Sequence, residues 1–408
     1  MARFPVWALV DERAHYAYVQ EVAEQGRLPF LGRSLISPQV QALDDGTYPG
    51  PPRTDPRTRG LAGQSYEAFQ PPLYYALAAP AFRLPVDHAG KVRVLRALDL
   101  GLLLVAAGLL RLLARRVLGD AGRVAVAAGY AVALTVLMWP SVVVRTVTVS
   151  NAALELVLAL AALVALWDAH ARRDQRRLLL AGALVGLGLL TRLSLVWLVP
   201  VLVVVAAGFV RRRAARTAAG LTVALPVLVL VPWLASNLDR YGALTAGSVV
   251  REMQEPFLNP AGRDYGVDDL PGRHAVLLNG VLAEEWWVEF LSSAKRRARD
   301  LFAVLFLATP LILAAVRPFA GRARAAGFLV APLLLAVGLM SAGLLLANWD
   351  FFYPRYLHAA LPGFGLFAGA VVVRTLGTGR AAGAAALLSL GLAVLWLHLA
   401  TVTPFTAP

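Results

Sequence analysis

"LLLAGALVGLGLLTRLSLVWLVPVLVVVAAGF", residues 178–209, is apolar almost throughout, with the polar pair Thr191–Arg192 at its middle. A spanning helix needs about 20 mostly apolar residues, and only helices and closed barrels satisfy their backbone in lipid. The run is far too long for a barrel strand. It reads as two short helices rather than one long tilted helix, because the polar pair divides it.

The rest of the chain agrees with that reading. Of its 408 residues 58% are hydrophobic and only 16% charged, with a mean hydropathy of +0.63. Soluble domains sit nearer half apolar and about a quarter charged. Apolar runs predict helices near 97–114, 122–139, 151–167, 178–190, 193–209, 218–236, 300–316, 326–346, 356–373 and 381–400. The expected fold class is an all-α polytopic membrane protein with about ten visible transmembrane helices.

The net charge of +14 is mostly a topology signal. The joints 111–123, 168–177, 211–216, 317–324 and 374–380 hold seventeen arginines and three acids, Asp120, Asp168 and Asp174. The alternate short joints hold Arg145, Arg192 and Arg355 as their only basic residues. Arginine enrichment in every second joint marks cytoplasmic loops. Lys295, Arg296, Arg297 and Arg299 fall on the other side, but in a long loop, where the rule is weak. Nucleic acid is therefore not an expected partner. The chain has no cysteine, which excludes disulfides, thiolate metal sites and cysteine nucleophiles.

This topology divides the chain into a first-helix remnant (1–10), an extracytoplasmic loop (11–96), transmembrane helices (97–237), a second extracytoplasmic loop (238–299) and C-terminal transmembrane helices (300–408). Residues 1–10 are too short to span, so a first helix is expected to be missing or partial. The expected location is the plasma (inner) membrane, multi-pass, with the site facing the extracytoplasmic side. Residues 12–25 read as an amphipathic helix with Ala14, Tyr18, Val22 and Val19 on one face. Residues 44–60 are rich in Pro and Gly and read as a surface loop. In "YEAFQPPLYYALAAP" (66–80) Pro71 and Pro72 suit a helix start, and Phe69, Tyr74 and Tyr75 suit an interface belt, as do Trp286 and Trp287.

Polar residues collect on the outer side at membrane depth: Asp11, Glu12 and His15; Glu67 and Gln70; Arg93, Arg96 and Asp99; Arg145, Ser150, Asn151 and Glu155; Thr191 and Arg192; Asn237 and Arg240; Asn348, Asp350, Arg355 and Tyr356. Ionisable groups in a bilayer usually face a cavity or a partner. Contributed by several helices at one side, they point to one extracytoplasmic cavity.

These residues carry a resemblance. Asp11–Glu12 is an acidic pair opening the first outer loop. "EAFQPPLYYALAAP" matches a His-Pro-Pro-Leu-Tyr-Tyr type segment, with Gln70 in place of His. "VSNAALELVLALAAL" (149–163) matches a Ser-Asn-Asp-Ala-Leu stretch, with Ala152 in place of the acid. "GLGLLTRLSLVWLVP" (186–200), "SNLDRYGAL" (236–244) and "FYPRYLHAALPGFGL" (352–366) continue the series in order. In this set the chain resembles GT-C fold glycosyltransferases, in the broad group of protein mannosyltransferases and lipid A aminoarabinose transferases.

The resemblance implies a GT-C-like bundle with two long extracytoplasmic loops. It implies inverting transfer of a sugar from a polyprenyl-phosphate donor to an extracytoplasmic acceptor, whether protein, lipid or glycan. Cleaving the sugar–phosphate bond leaves negative charge on phosphate, which arginines stabilise. Arg355, Arg192 and Arg96, with Tyr356, are the expected phosphate ligands, Arg355 preceding a helix N-terminus. Asp11 is the expected general base, with Glu12 or Glu67 orienting the acceptor. His15, Gln70 and Asn151 are supporting residues. No cofactor is required, although some members of that group hold a divalent metal with carboxylates. Asp11 and Glu12, with Glu67 and His15, would be the ligands here.

Simpler readings compete at each position. Acids favour a helix N-terminus through its dipole, which would account for Asp11 and Glu12. Arg355 can be a snorkelling anchor, and Arg192 can pair with lipid headgroups. Arg145, Asn151 and Glu155 read as a structural network between helices. The rival functions are a secondary transporter or flippase of envelope lipids, and a non-catalytic envelope-assembly protein.

Overall fold

The computed structural model describes residues 7, 11–43, 65–210, 215–246, 267–270, 329–347 and 356–402. The helix expected at 300–316, the basic run at 295–299, Trp286, Trp287, Asn348, Asp350 and Arg355 lie outside the described residues.

A short outer segment precedes the long helices. It comprises α1 (Glu12–Gln25), α2 (Pro38–Ala42), a 3-10 turn (Tyr66–Phe69) and α3 (Leu73–Ala78). Leu73 directly follows Pro71–Pro72, whose ring-fixed φ and missing N–H groups suit a helix entrance. The long elements are α4 (His88–Leu118), α5 (Arg123–Leu137), α6 (Pro140–Val147), α7 (Ala152–Arg172), α8 (Gln175–Thr191), α9 (Leu198–Val210), α10 (Arg216–Tyr241), α11 (Ala331–Ala347) and α12 (Leu361–Val402).

Among the described residues, five helices are long and apolar enough to cross a membrane: His88–Ala121, Ala152–Arg172, Leu193–Val210, Arg216–Tyr241 and Leu361–Gly391. Arg123–Leu137 with Ser141–Val147 adds a sixth if this pair, bent by 69°, is one span. α8 has 17 residues, about 25 Å at the helical rise, and is too short to cross upright. The first span starts at His88 rather than near 97, because Asp87 caps it by accepting from the Gly90 N–H at 2.7 Å. The apolar run 178–209 does divide as expected: Arg192 is extended (φ −161°, ψ 126°) and a 3-10 turn over Leu193–Trp197 leads into α9. The two C-terminal runs join in α12, with a break at Gly377 (φ 74°, ψ 164°), a conformation glycine adopts without a Cβ clash.

α7 lies at the centre, buried nearly all round, with α4 and α8 on its flanks; α10 packs on α8 and α12 on α5. Lipid tails are as apolar as leucine, so close backbone approach must supply the attraction between helices. Glycines permit it. A Cβ on Gly182 of α8 would sit 2.5 Å from the Thr222 carbonyl oxygen of α10. One on Gly369 of α12 would sit 2.7 Å from the Gly129 carbonyl oxygen of α5. At the Arg172 end of α7, buried Asp168 joins Arg116 (3.3 Å) and Arg172 (3.5 Å).

Gly182→Leu must part α8 from α10, and overpacking of this kind costs about 1–3 kcal/mol. Thermal unfolding in detergent should show a clear loss for Gly182→Leu and none for Gly101→Ala, where a Cβ meets nothing within 4 Å.

Candidate functional site

The antiparallel run of helices brings the start of α4, the start of α7 and the end of α8 to one end of the bundle, where α1 and α3 pack against them. Residues far apart in sequence meet there. α1 is a helix as expected, but it is buried on every side from Ala14 to Glu21 instead of along one stripe, because outer-segment elements and α4 enclose it.

Glu12 and Arg96 form a bidentate pair: Arg96 Nε donates to Glu12 Oε1 at 2.8 Å and Nη2 to Oε2 at 2.6 Å. The Val149 N–H adds a third bond to Oε1 at 2.9 Å. Glu12 is 1% exposed and Arg96 4%, so both ions are out of water. This geometry turns Arg96, expected on the donor phosphate, toward a carboxylate instead. Glu12 likewise faces α4.

Asp11 precedes α1, yet its side chain does not cap the helix. Arg145 Nη1 donates to Oδ2 at 3.0 Å and the Tyr66 hydroxyl to Oδ1 at 3.2 Å. The side chain is thus held by Arg145 and Tyr66 rather than by the N–H groups of α1. Arg145, read from sequence as part of a structural network, is its counter-ion. The signal for it was Trp139–Pro140, which breaks the helical run and starts α6, the short helix that carries Arg145.

Tyr74 and Tyr75, expected at the membrane interface, are fully buried. The reason is specific bonding: Tyr74 donates to Asp99 Oδ2 at 2.9 Å, and Tyr75 stacks on Tyr18 with centroids 3.6 Å apart. The Tyr75 hydroxyl lies 2.7 Å from His15 Nδ1, which places His15 in this network. Burial, then the Glu67 charge, hold the Tyr75 phenol well above its ordinary value; Arg192 acts the other way and Asp11 adds to the rise. Burial, then the Asp11 charge, raise Tyr66 similarly.

Asn151 Nδ2 donates to Gln70 Oε1 (3.2 Å) and to the Thr191 carbonyl (3.0 Å). Arg192 Nη1 donates to Glu155 Oε2 at 2.9 Å, and the Ser194 hydroxyl bonds the other oxygen. The Arg192 guanidinium lies over the Tyr356 ring at 5.3 Å. Arg192 Nε and Asn151 Oδ1 are buried with no hydrogen-bond partner among the described residues. At the edge, Arg240 Nη1 reaches the Leu28 and Pro29 carbonyls at 3.2 Å each, and the Leu31 N–H donates to the Tyr241 hydroxyl at 3.0 Å. Asp11, Glu12, Glu67, Arg96, His15, Gln70, Asn151, Arg192 and Tyr356 are all described; Arg355 is not.

The expected metal ligands do not fit a divalent ion. Both Glu12 oxygens face Arg96, Asp11 faces Arg145, and His15 Nδ1 is bonded to Tyr75. Among the described residues no three His, Cys, Asp or Glu side chains gather to hold one.

Comparison with known proteins bears on this arrangement. The family Dolichyl-phosphate-mannose-protein mannosyltransferase matches residues 70–235, less than half of the chain. No curated protein sequence matches it. The crystal structure of ArnT from Cupriavidus metallidurans bound to undecaprenyl phosphate superposes with a TM-score of 0.55 at 17% identity, over 99% of this chain and 62% of that one. The chain has the ArnT fold. The apo ArnT structure from the same organism gives a TM-score of 0.51 at 16% identity, over 91% of this chain and 57% of that one. The chain therefore spans about three fifths of the length of ArnT. The GT-C-like helical bundle of a multi-pass membrane protein, implied by the motif resemblance, is the observed architecture. The matched segment 70–235 contains Gln70, Arg96, Arg145, Asn151 and Arg192, and excludes Asp11, Glu12, Glu67 and Tyr356.

Two tests follow from this geometry. Removing one partner of a buried ion pair costs about 3–5 kcal/mol, while replacing both is often neutral. Glu12→Leu and Arg96→Met should each lower thermal stability strongly, and the double variant should be more stable than either. The phenols supply the second. In the unfolded chain tyrosines ionise near 10.0, whereas Tyr66, Tyr74 and Tyr75 keep their protons well above it when folded. Above about pH 10 the unfolded state therefore releases protons first, and folded stability falls as pH rises. Melting temperature should drop between pH 9.5 and 11, less steeply in Tyr75→Phe.

Proposed function

We propose that this protein is an integral membrane glycosyltransferase that moves a sugar from a polyprenyl-phosphate donor to an extracytoplasmic acceptor, with inversion. It would sit in the plasma (inner) membrane, with this end of the bundle outside. The observation that supports this most is the buried polar network at one end of the bundle, which holds Asp11 on Arg145 and Arg192 on Glu155. In this reading that network supplies both a base and a phosphate-binding cation. The ArnT fold and the family match over 70–235 point the same way. ArnT has been crystallised with undecaprenyl phosphate, and a lipid of that class is the donor carrier we infer here.

In this reading the acceptor attacks the anomeric carbon from the face opposite phosphate. The carbon–oxygen bond to phosphate breaks, and its electron pair stays on the phosphate oxygen. The acceptor proton passes to Asp11. Arg192, stacked on Tyr356 and braced by Glu155, stabilises the leaving phosphate, together with Arg355 beside Tyr356. Glu67 orients the acceptor. Glu12 and Arg96 hold α1 in place, and His15, Gln70 and Asn151 set the surrounding network.

The test is release of polyprenyl phosphate by purified protein given membrane extract and a panel of radiolabelled polyprenyl-phosphate sugars. Wild type should release it, and Asp11→Asn should lower turnover by about 10²–10⁴-fold. Arg192→Lys, which keeps a cation beside Glu155 but loses the planar fork, should also lower turnover. Release unchanged in Asp11→Asn would reject it as the base. Absence of release from any donor by folded wild type would reject the transferase in favour of a transporter or an assembly protein.

A further inference from the structure

Arg145 is built into the site more firmly than a surface cation would be. Its helix, α6, starts at Pro140 and ends at Val147, and the segment from Arg145 to Asn151 then turns into α7. The Ser150 hydroxyl donates to the Arg145 carbonyl at 2.9 Å, which fixes the backbone that carries the guanidinium. The same turn holds Glu12 through the Val149 N–H and Gln70 through Asn151. Arg145 and Asp11 are each 13% exposed at the side chain, so their 3.0 Å contact is largely shielded from water.

A divalent cation bound to Asp11 would need oxygen ligands at about 2.0–2.6 Å and would lie beside this guanidinium. Like charges repel strongly in so dry a place. The position at which the resemblance leads one to expect a second acid is Ala152, which offers no ligand.

We propose that Arg145 is the resident cation of this site, standing at Asp11 where a divalent metal would otherwise sit, and that it orients the Asp11 carboxylate so that the protein works without such a metal. Arg145 is then a positioning residue: it acts on substrate only through Asp11. The turnover arm of the test rests on the glycosyl-transfer reading; the metal-binding arm does not.

The metal arm is Mn²⁺ titration of full-length protein in lipid nanodiscs, read by electron paramagnetic resonance. Wild type and Asp11→Asn should give the same titration, with no Mn²⁺ held at Asp11. Mn²⁺ bound by wild type and released in Asp11→Asn would overturn the proposal, whether or not a donor sugar has been found. In the turnover arm, EDTA should leave wild-type release of polyprenyl phosphate unchanged. Arg145→Met should lower kcat at least tenfold with KM nearly constant, and Arg145→Lys should recover part of it. The double variant Asp11→Asn/Arg145→Met should be no slower than Asp11→Asn alone, because both act through one carboxylate. Loss of turnover in EDTA, or additive losses in the double variant, would overturn it.

Discussion

A guanidinium and a carboxylate taken out of water together constrain most of what surrounds them. Glu12 and Arg96 could not remain ionised in this setting unless each met the other with nearly complete hydrogen bonding. The Val149 amide adds a further bond to Glu12. The three groups come from α1, α4 and the entrance to α7, so one charge requirement fixes the outer helix against two others. Asp11 is adjacent in sequence and is carried to its place by that constraint.

The turn from Arg145 to Asn151 is the other half of the arrangement. It offers a side-chain cation to Asp11, a backbone donor to Glu12 and a side-chain amide to Gln70 and Thr191. Rigid backbone can hold several polar groups in register where long side chains alone would lose it to rotamer entropy. The break at Thr191–Arg192 faces the same network from α8. Short helices and extended residues at membrane depth are tolerated where protein surrounds them, and here they are buried. Such a site at the end of the bundle suits a proposed donor with its tails in lipid and an acceptor arriving from water.

Away from this end, packing is of another kind. Gly182 against Thr222 and Gly369 against Gly129 bring backbones together where a side chain would not fit. Asp168, between Arg116 and Arg172, closes the opposite end with a buried acid in ion pairs with partly exposed arginines. Charge is thus used at both ends, tightly matched at one and wet at the other.

The residues alone determined the solvent and the class of fold, because hydropathy and helical length are properties of consecutive residues. They also determined the division of 178–209 at Arg192 and the helix start after Pro71–Pro72. The order of short motifs was enough to suggest the GT-C type. What they did not determine is who meets whom. Arg96 was legible as a cation near a bilayer edge, and equally suited to phosphate or to Glu12, 84 residues away. Arg145 and Asp11 are 134 apart, and no periodicity connects them. Tyr74 and Tyr75 look like interface aromatics until Asp99, Tyr18 and His15 are brought beside them. Pairing of this sort depends on how antiparallel helices stack and slide against one another. That is decided by the shapes of facing surfaces across the bundle, and a linear pattern does not contain it.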